Sequence, residues 1–139
     1  MSGRSDAGKA GIVGSAAAAA QARGAQAEAF AEAFLARQGI TTLARRLRCR
    51  GGELDLICLD GSTLVFVEVR LRTPGRFGNA ADSITTTKQQ RILHAARWWL
   101  AGPGRRHAQR AMRFDAILFD RLEPGQECWL RSAFDADAW

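Results

Sequence analysis

The chain lacks long apolar runs and paired cysteines, and both shortages exclude classes of protein. No run of about 18 apolar residues occurs, so no membrane-spanning helix is expected, and the N-terminus lacks the apolar segment of a secretory signal. The cysteines Cys49, Cys58 and Cys128 are odd in number and widely spaced. This pattern argues against a disulfide framework and against a zinc site. We therefore expect a cytoplasmic protein without membrane contact.

Lysine is scarce although the chain is strongly basic. Of the 20 basic residues, all but Lys9 and Lys88 are arginine, and the net charge is +6. The guanidinium group is a planar fork of N–H donors that suits phosphate, so the composition favours a polyanionic partner. A genome rich in arginine codons produces the same bias. The charge by itself therefore leaves nucleic-acid binding open.

The order of helix and strand patterns predicts an α/β fold. Residues 1–14 carry no periodic pattern and are expected to form a disordered arm, and residues 15–139 are expected to form a single domain. The predicted elements are a helix over 16–37, strands over 41–49, 53–59 and 63–72, a helix from 83 or 87 to 100, and strands over 112–119 and 127–134. This order predicts a central mixed β-sheet flanked by helices.

A tight turn at Gly61-Ser62 sets the register of the second and third strands. With a two-residue loop at this point, Asp55 lies opposite Glu68, and Glu53 lies opposite Arg70. Because side chains alternate along a strand, these four side chains share one face of the sheet. The opposite face is apolar and is expected to be core; it comprises Leu54, Leu56, Cys58, Val65, Val67, Val69 and Leu71.

Two facing carboxylates indicate a metal site. Asp55 and Glu68 repel each other unless one is protonated or a cation lies between them. Mg²⁺ takes oxygen ligands and usually keeps waters and substrate phosphate oxygens, so two carboxylates are enough protein for such a site. The chemistry that it supports is phosphodiester hydrolysis. The alternative is an ordinary Glu53–Arg70 ion pair, with Asp55 and Glu68 at a solvated end of the sheet.

Several segments together resemble the YraN family of small bacterial proteins, described as predicted endonucleases related to archaeal Holliday junction resolvases and to the PD-(D/E)XK nuclease superfamily. The resemblance spans roughly residues 24–134. It is carried by Ala27-Glu28 with Ala31 and Leu35, by segments 52–57 and 64–70, by Phe77-Gly78, Ser83-Ile84 and Lys88-Gln89 with Arg91, and by Arg113-Phe114-Asp115 and Ala133-Phe134.

The resemblance implies a restriction-endonuclease-like core in which Glu28, Asp55 and Glu68 converge on one or two Mg²⁺ or Mn²⁺ ions. It implies a nuclease that cuts DNA, including branched or single-stranded structures. The superfamily places a lysine two residues after the acid, and this chain has Arg70 there. Arginine holds phosphate or orients a water but does not serve as a general base, because its guanidinium group does not readily give up a proton. Lys88, near the start of the second helix, is the candidate for the missing ammonium group.

The expected partner is nucleic acid, most simply DNA. Five arginines flank the carboxylate end of the hairpin and are candidates for backbone phosphate contacts, although each is also typical of a solvated side chain: Arg48, Arg50, Arg72, Arg76 and Arg91. At least one of Trp98 and Trp99 is expected in the core, and the other is a candidate for stacking on bases.

Two alternatives to a nuclease stay open at this point. One is a nucleic-acid-binding module with weak or no catalytic activity, which suits Arg70 in place of lysine. The other is an adaptor that uses the fold as a scaffold for a protein partner in DNA processing. Analogy with the dimeric junction resolvases also suggests a homodimer.

Overall fold

The computed structural model describes residues 3–71 and 84–135 of the chain. Its elements are α1 (Gly3–Arg37), β1 (Thr41–Cys49), β2 (Gly52–Asp60), β3 (Thr63–Leu71), α2 (Thr86–Ala101), a short 3-10 helix (Arg105–His107), β4 (Met112–Phe119) and β5 (Glu127–Phe134). Within these ranges the strands form one five-stranded sheet in the order β1-β2-β3-β4-β5. The sheet is mixed, because β3 and β4 are parallel and the other neighbours are antiparallel.

The predicted α/β class is confirmed, and the mixed sheet flanked by two helices is consistent with a restriction-endonuclease-like core. α1 begins at Gly3, ahead of the predicted start at residue 16, and so extends into the segment for which a disordered arm is expected. That arm and the single-domain assignment stay predictions. Gly39, with a φ of +81°, has the left-handed backbone expected of the residue that ends this helix.

The two helices pack against two separate apolar clusters of the sheet. Phe66 and Phe114 belong to the cluster that contains Ile92 and Ala96 of α2. Val67 belongs to the cluster that includes Ala31 and Leu35 of α1. Because β3 is buried on both faces, its sequence is a nearly continuous apolar run rather than an alternating one.

Gly52 brings the start of β2 into direct contact with α2. A Cβ atom at this position would lie 2.8 Å from the backbone N of Ala95 and 2.9 Å from the carbonyl O of Arg91. No side chain fits between these two pieces of backbone without displacing one of them. The close approach places the middle of α2 beside the start of β2, the strand that carries Glu53 and Asp55.

Two further findings concern the cysteines and the apolar length of the helices. Cys49, Cys58 and Cys128 are free thiols. No helix in the described part of the chain is long and apolar enough to cross a membrane.

Candidate functional site

The β2–β3 hairpin has the register that its turn predicts. Asp60 pairs with Thr63, and the ladder continues from there to Leu56 opposite Val67. It stops at that pair, so Asp55 and Glu68 follow as the next residues on the two strands without forming a ladder pair of their own. Instead, the backbone N of Val69 donates a hydrogen bond of 2.8 Å to Asp55 Oδ2. The carboxylate therefore takes the place of a backbone acceptor where the strands separate.

The regular alternation of β2 is interrupted at Asp55. Leu56 packs in the cluster that contains α1 residues, whereas Leu54 packs with Ile57 in the cluster that contains α2 residues. The expectation that Leu54 and Leu56 share a face is therefore wrong. Strict alternation assumes an unbroken backbone ladder, and here a side-chain acceptor replaces part of it.

A pocket of about 600 Å³ opens at this end of the hairpin. It brings together all five residues proposed as catalytic, each from a different position in the fold: Glu28 on α1, Asp55 on β2, Glu68 and Arg70 on β3, and Lys88 on α2. Thr85 caps α2 by accepting a hydrogen bond of 3.2 Å from the backbone N of Lys88. The cap fixes the helical turn that carries the lysine.

The arginines proposed to contact nucleic acid divide into three groups. Arg48 and Arg91 line the pocket. Arg50 is exposed and lies in the turn between β1 and β2, outside the pocket lining. Arg72 and Arg76 lie outside the described residues. The pocket therefore contains a part of the expected basic set.

Glu68 has the most perturbed carboxyl group in the pocket. Its residue is 3% exposed, and burial raises its pKa to about 9, with further contributions from the charge and the hydrogen bond of Asp55. Its Oε2 atom is buried without a hydrogen-bond partner. Lys88 Nζ lies 3.7 Å from that oxygen, too far for a hydrogen bond but close enough to favour the charged carboxylate.

Glu28 is paired with an arginine of the edge strand β1. Arg46 Nε donates a hydrogen bond of 2.7 Å to Glu28 Oε2. Burial raises the pKa of Glu28, the hydrogen bond from Arg46 lowers it, and the charge of Asp55 raises it again. Arg46 has a φ of +49°, which is unusual for a residue with a side chain. Arg46 is therefore the cationic partner of Glu28 in this structure.

Glu53 is a member of the pocket that the sequence did not single out as a site residue. Lys88 Nζ donates a hydrogen bond to Glu53 Oε1, and Arg48 and Arg91 lie 3.9 and 3.8 Å from Glu53 Oε2. The hydrogen bond from Lys88 is the main cause of a lowered pKa for Glu53. The alternative drawn from the sequence was an ordinary ion pair of Glu53 with Arg70. Among the described residues, the ion pairs of Glu53 are instead with Lys88, Arg48 and Arg91. The available signal in the sequence was the position of Glu53, two residues before Asp55 on the same strand.

Comparison with known proteins establishes the family. A model described as "Uncharacterised protein family UPF0102" matches residues 27–119, a range that includes Glu28, Asp55 and Glu68. The chain belongs to the UPF0102 family. A UPF0102 protein of Nitrosospira multiformis is 47% identical over 115 residues, covering 83% of this chain and 94% of that protein.

Further UPF0102 relatives cover a similar share of the chain. The protein of Bordetella avium is 51% identical over 118 residues, covering 85% of this chain and 78% of its own length. The protein of Serratia proteamaculans is 50% identical over 119 residues, covering 84% and 97%. The resemblance to YraN proteins is thereby confirmed as family membership. The family description names no activity, so the residues of the pocket are the basis for assigning the chemistry.

The donor atoms of the UPF0102 pocket fit a hard divalent cation in part. Asp55 and Glu68 present carboxylate oxygens, the ligands that Mg²⁺ prefers, and Glu68 Oε2 has no hydrogen-bond partner. Among the residues that the structure describes, no three His, Cys, Asp or Glu side chains form a group that would hold a metal ion as they stand. Two carboxylates therefore fit such an ion, and Glu28 is engaged by Arg46 instead.

Proposed function

We propose that the protein is a metal-dependent nuclease that hydrolyses phosphodiester bonds in DNA. The observation that carries the proposal is the buried carboxyl group of Glu68, with one oxygen that lacks a hydrogen-bond partner, beside Asp55. Burying two neighbouring carboxyl groups is unfavourable unless one is protonated or a cation binds between them. A divalent cation would satisfy the oxygen without a partner and allow both groups to be charged.

Asp55 and Glu68 are the residues that would hold Mg²⁺ or Mn²⁺. Glu28 is the candidate third ligand once its ion pair with Arg46 opens. The bound ion would polarise the phosphate and lower the pKa of the attacking water. The number of ions, one or two, depends on whether Glu28 joins.

Lys88 and Arg70 are proposed to hold the scissile phosphate. The ammonium group of Lys88 lies 3.7 Å from Glu68 Oε2, so a phosphate oxygen that approached a metal held by Glu68 would also meet Lys88. This position supports the assignment of Lys88 to the ammonium role that the superfamily gives to a lysine at the position of Arg70. Arg70 contributes positive charge and N–H donors. Arg48 and Arg91 extend the cationic lining towards flanking phosphates.

A second candidate function is nucleic-acid binding with weak or no turnover. It is favoured by the hydrogen-bonded ion pairs that two of the four acids in the pocket already make, Glu28 with Arg46 and Glu53 with Lys88. In such a module, phosphates would compete with the carboxylates for these cations. The two candidates share the pocket and differ in whether a bond is broken.

Calorimetric titration of MgCl₂ and MnCl₂ tests the proposal. The proteins are the wild type, the variant Asp55→Asn/Glu68→Gln, and Glu123→Gln as a control that alters an exposed carboxyl group outside the pocket. Each is titrated with and without a short branched DNA. We expect the wild type and the control to bind metal, and the double variant to bind at least about tenfold more weakly.

Cleavage assays with branched, single-stranded and duplex DNA then separate the two candidates. Metal-dependent cleavage by the wild type, absent in the double variant, supports the nuclease. Metal binding without cleavage of branched, single-stranded or duplex DNA favours the binding module. A wild type that binds no metal even with DNA present contradicts the nuclease proposal.

A further inference from the structure

The outward face of α2 is basic and has no acidic residue. The helix sequence contains Lys88, Arg91 and Arg97 and neither Asp nor Glu. Its buried residues pack against the sheet. After Thr86, its exposed residues recur at the spacing of a single helical stripe: Thr87, Gln90, Arg91, His94, Arg97, Trp98 and Ala101. Residues three and four apart are neighbours on a helix surface. The stripe is therefore one continuous surface with positive charge.

This stripe carries an exposed tryptophan. Trp98 is 47% exposed, whereas the adjacent Trp99 is 6% exposed and stacks on the imidazole of His107 with the ring planes at 8°. Trp99 is thus the core member of the pair, and Trp98 leaves a large part of its indole in solvent. A flat aromatic surface next to guanidinium groups is the combination that binds unpaired bases.

The stripe is continuous with the pocket at one end. Thr87 and Arg91 belong both to the stripe and to the pocket lining. The turn between β1 and β2 lies beside its middle, since a Cβ atom at Gly51 would be 3.6 Å from His94 Nε2. That turn also carries Arg50, which is exposed. The basic surface therefore extends from the pocket along α2 and has Arg50 at its side.

The length of the stripe corresponds to a few nucleotides. From Arg91 to Trp98 the helix rises by about 10 Å. This length corresponds to at most about three nucleotides, because the spacing along one strand is about 3.4 Å in a duplex and longer in an unpaired strand. In a duplex the bases stack on their own neighbours and are not available to a side chain. In a single strand every base offers a face, and stacking on an aromatic side chain is tolerant of sequence.

We propose that the outward face of α2 binds an unpaired nucleic-acid strand that continues from the pocket. Trp98 stacks on a base at most about three nucleotides from the phosphate in the pocket, and Arg91 and Arg50 contact the intervening backbone. The inference rests on the proposed function for the phosphate in the pocket. It defines the substrate class as nucleic acid with a single-stranded segment next to the bond that is cut.

Fluorescence anisotropy with labelled oligonucleotides tests this inference without divalent metal, so that no cleavage occurs. The probes are a single strand of about 12 nucleotides, the duplex of the same sequence, and that duplex with a single-stranded overhang. We expect Trp98→Ala to weaken binding of the single strand and the overhang probe by about 5- to 100-fold. Binding of the duplex should change by less than about twofold. Trp98→Phe should retain most of the affinity, because phenylalanine also stacks.

Two further variants separate stacking from charge. Arg91→Ala should reduce the slope of log affinity against log salt by about 0.7 on the single strand. Arg121→Ala removes an exposed arginine from the segment between β4 and β5 and should leave the preference for single strands unchanged. Thermal unfolding followed by circular dichroism verifies that each variant is folded at the assay temperature.

The outcomes distinguish this inference from the proposed function. If Trp98→Ala binds the single strand as tightly as the wild type, or loses affinity equally for single strand and duplex, the inference is overturned even when the wild type cleaves DNA. If the wild type never cleaves DNA but the selective loss occurs, the single-strand site on α2 stands and the nuclease proposal fails. A wild type that binds none of the probes at low salt overturns the inference and leaves a protein partner for this face.

Discussion

Among single residues, Glu68 dominates the electrostatics of the pocket. Its pKa is about 9 in the folded protein, against an ordinary value of 4.5. Between these values the folded protein holds a proton that the unfolded chain has released. The contribution of Glu68 to stability is therefore fully present below about pH 4 and is lost as the pH rises towards 9.

Glu68→Gln should remove this pH dependence. The glutamine keeps the shape of the protonated acid and has no charge to desolvate, so we expect the variant to exceed the wild type in unfolding free energy by about 1–2 kcal/mol at pH 8. The difference should shrink towards pH 5. Urea denaturation between pH 5 and pH 9 measures it, with Glu123→Gln as the control. Parallel stability curves for wild type and variant would contradict the role of burial at Glu68.

Residues also show how far the site is encoded locally. The turn at Gly61-Ser62 was enough to predict that Asp55 and Glu68 approach each other, because a short loop fixes the pairing of its strands. The partners of Glu53 and Glu28 could not be predicted in this way. Lys88 meets Glu53 only after α2 packs on the hairpin, and Arg46 meets Glu28 only after α1 packs on the edge of the sheet.

At the scale of elements, the contact between β2 and α2 positions Lys88 and Arg91. Gly52→Ala would add a Cβ atom 2.8 Å from the backbone N of Ala95, so strand or helix must shift. We expect a loss of about 1–3 kcal/mol in unfolding free energy, together with weaker metal and phosphate binding. Urea denaturation and calorimetry measure the two effects.

Gly24→Ala is the matched control for this prediction. A Cβ atom at Gly24 would meet nothing within 4 Å, and the residue lies inside α1, where alanine is favoured over glycine by about 0.5–1 kcal/mol. The control should therefore gain stability. Equal effects of the two substitutions would show that the β2–α2 contact tolerates a side chain.

The elements themselves were largely readable from sequence, because turns and glycines bounded most of them. The exceptions have physical causes. Periodicity gave no reason to extend α1 back to Gly3. Alternation placed Leu54 with Leu56, and it failed because the Asp55 carboxylate accepts a backbone hydrogen bond where the ladder ends. Such an irregularity depends on one side chain and leaves no periodic signal.

For the whole molecule, the question is whether the net charge of +6 or the position of the arginines governs nucleic-acid binding. Arg48 and Arg91 line the pocket, whereas Arg105 and Arg121 are exposed elsewhere. The variants Arg48→Ala/Arg91→Ala and Arg105→Ala/Arg121→Ala each lose two positive charges. Comparison of the two therefore separates a local phosphate track from a general attraction.

We expect the pocket pair to matter more. Each arginine that contacts a phosphate contributes about 0.7–0.9 to the slope of log affinity against log salt, so Arg48→Ala/Arg91→Ala should lower that slope by about 1.4–1.8. The remote pair should change it by less than about 0.5, because distant surface charges act only through the screened field. Anisotropy titrations between low and physiological salt measure both slopes. Equal slopes in the two double variants would mean that net charge alone attracts DNA and that the pocket does not fix its path.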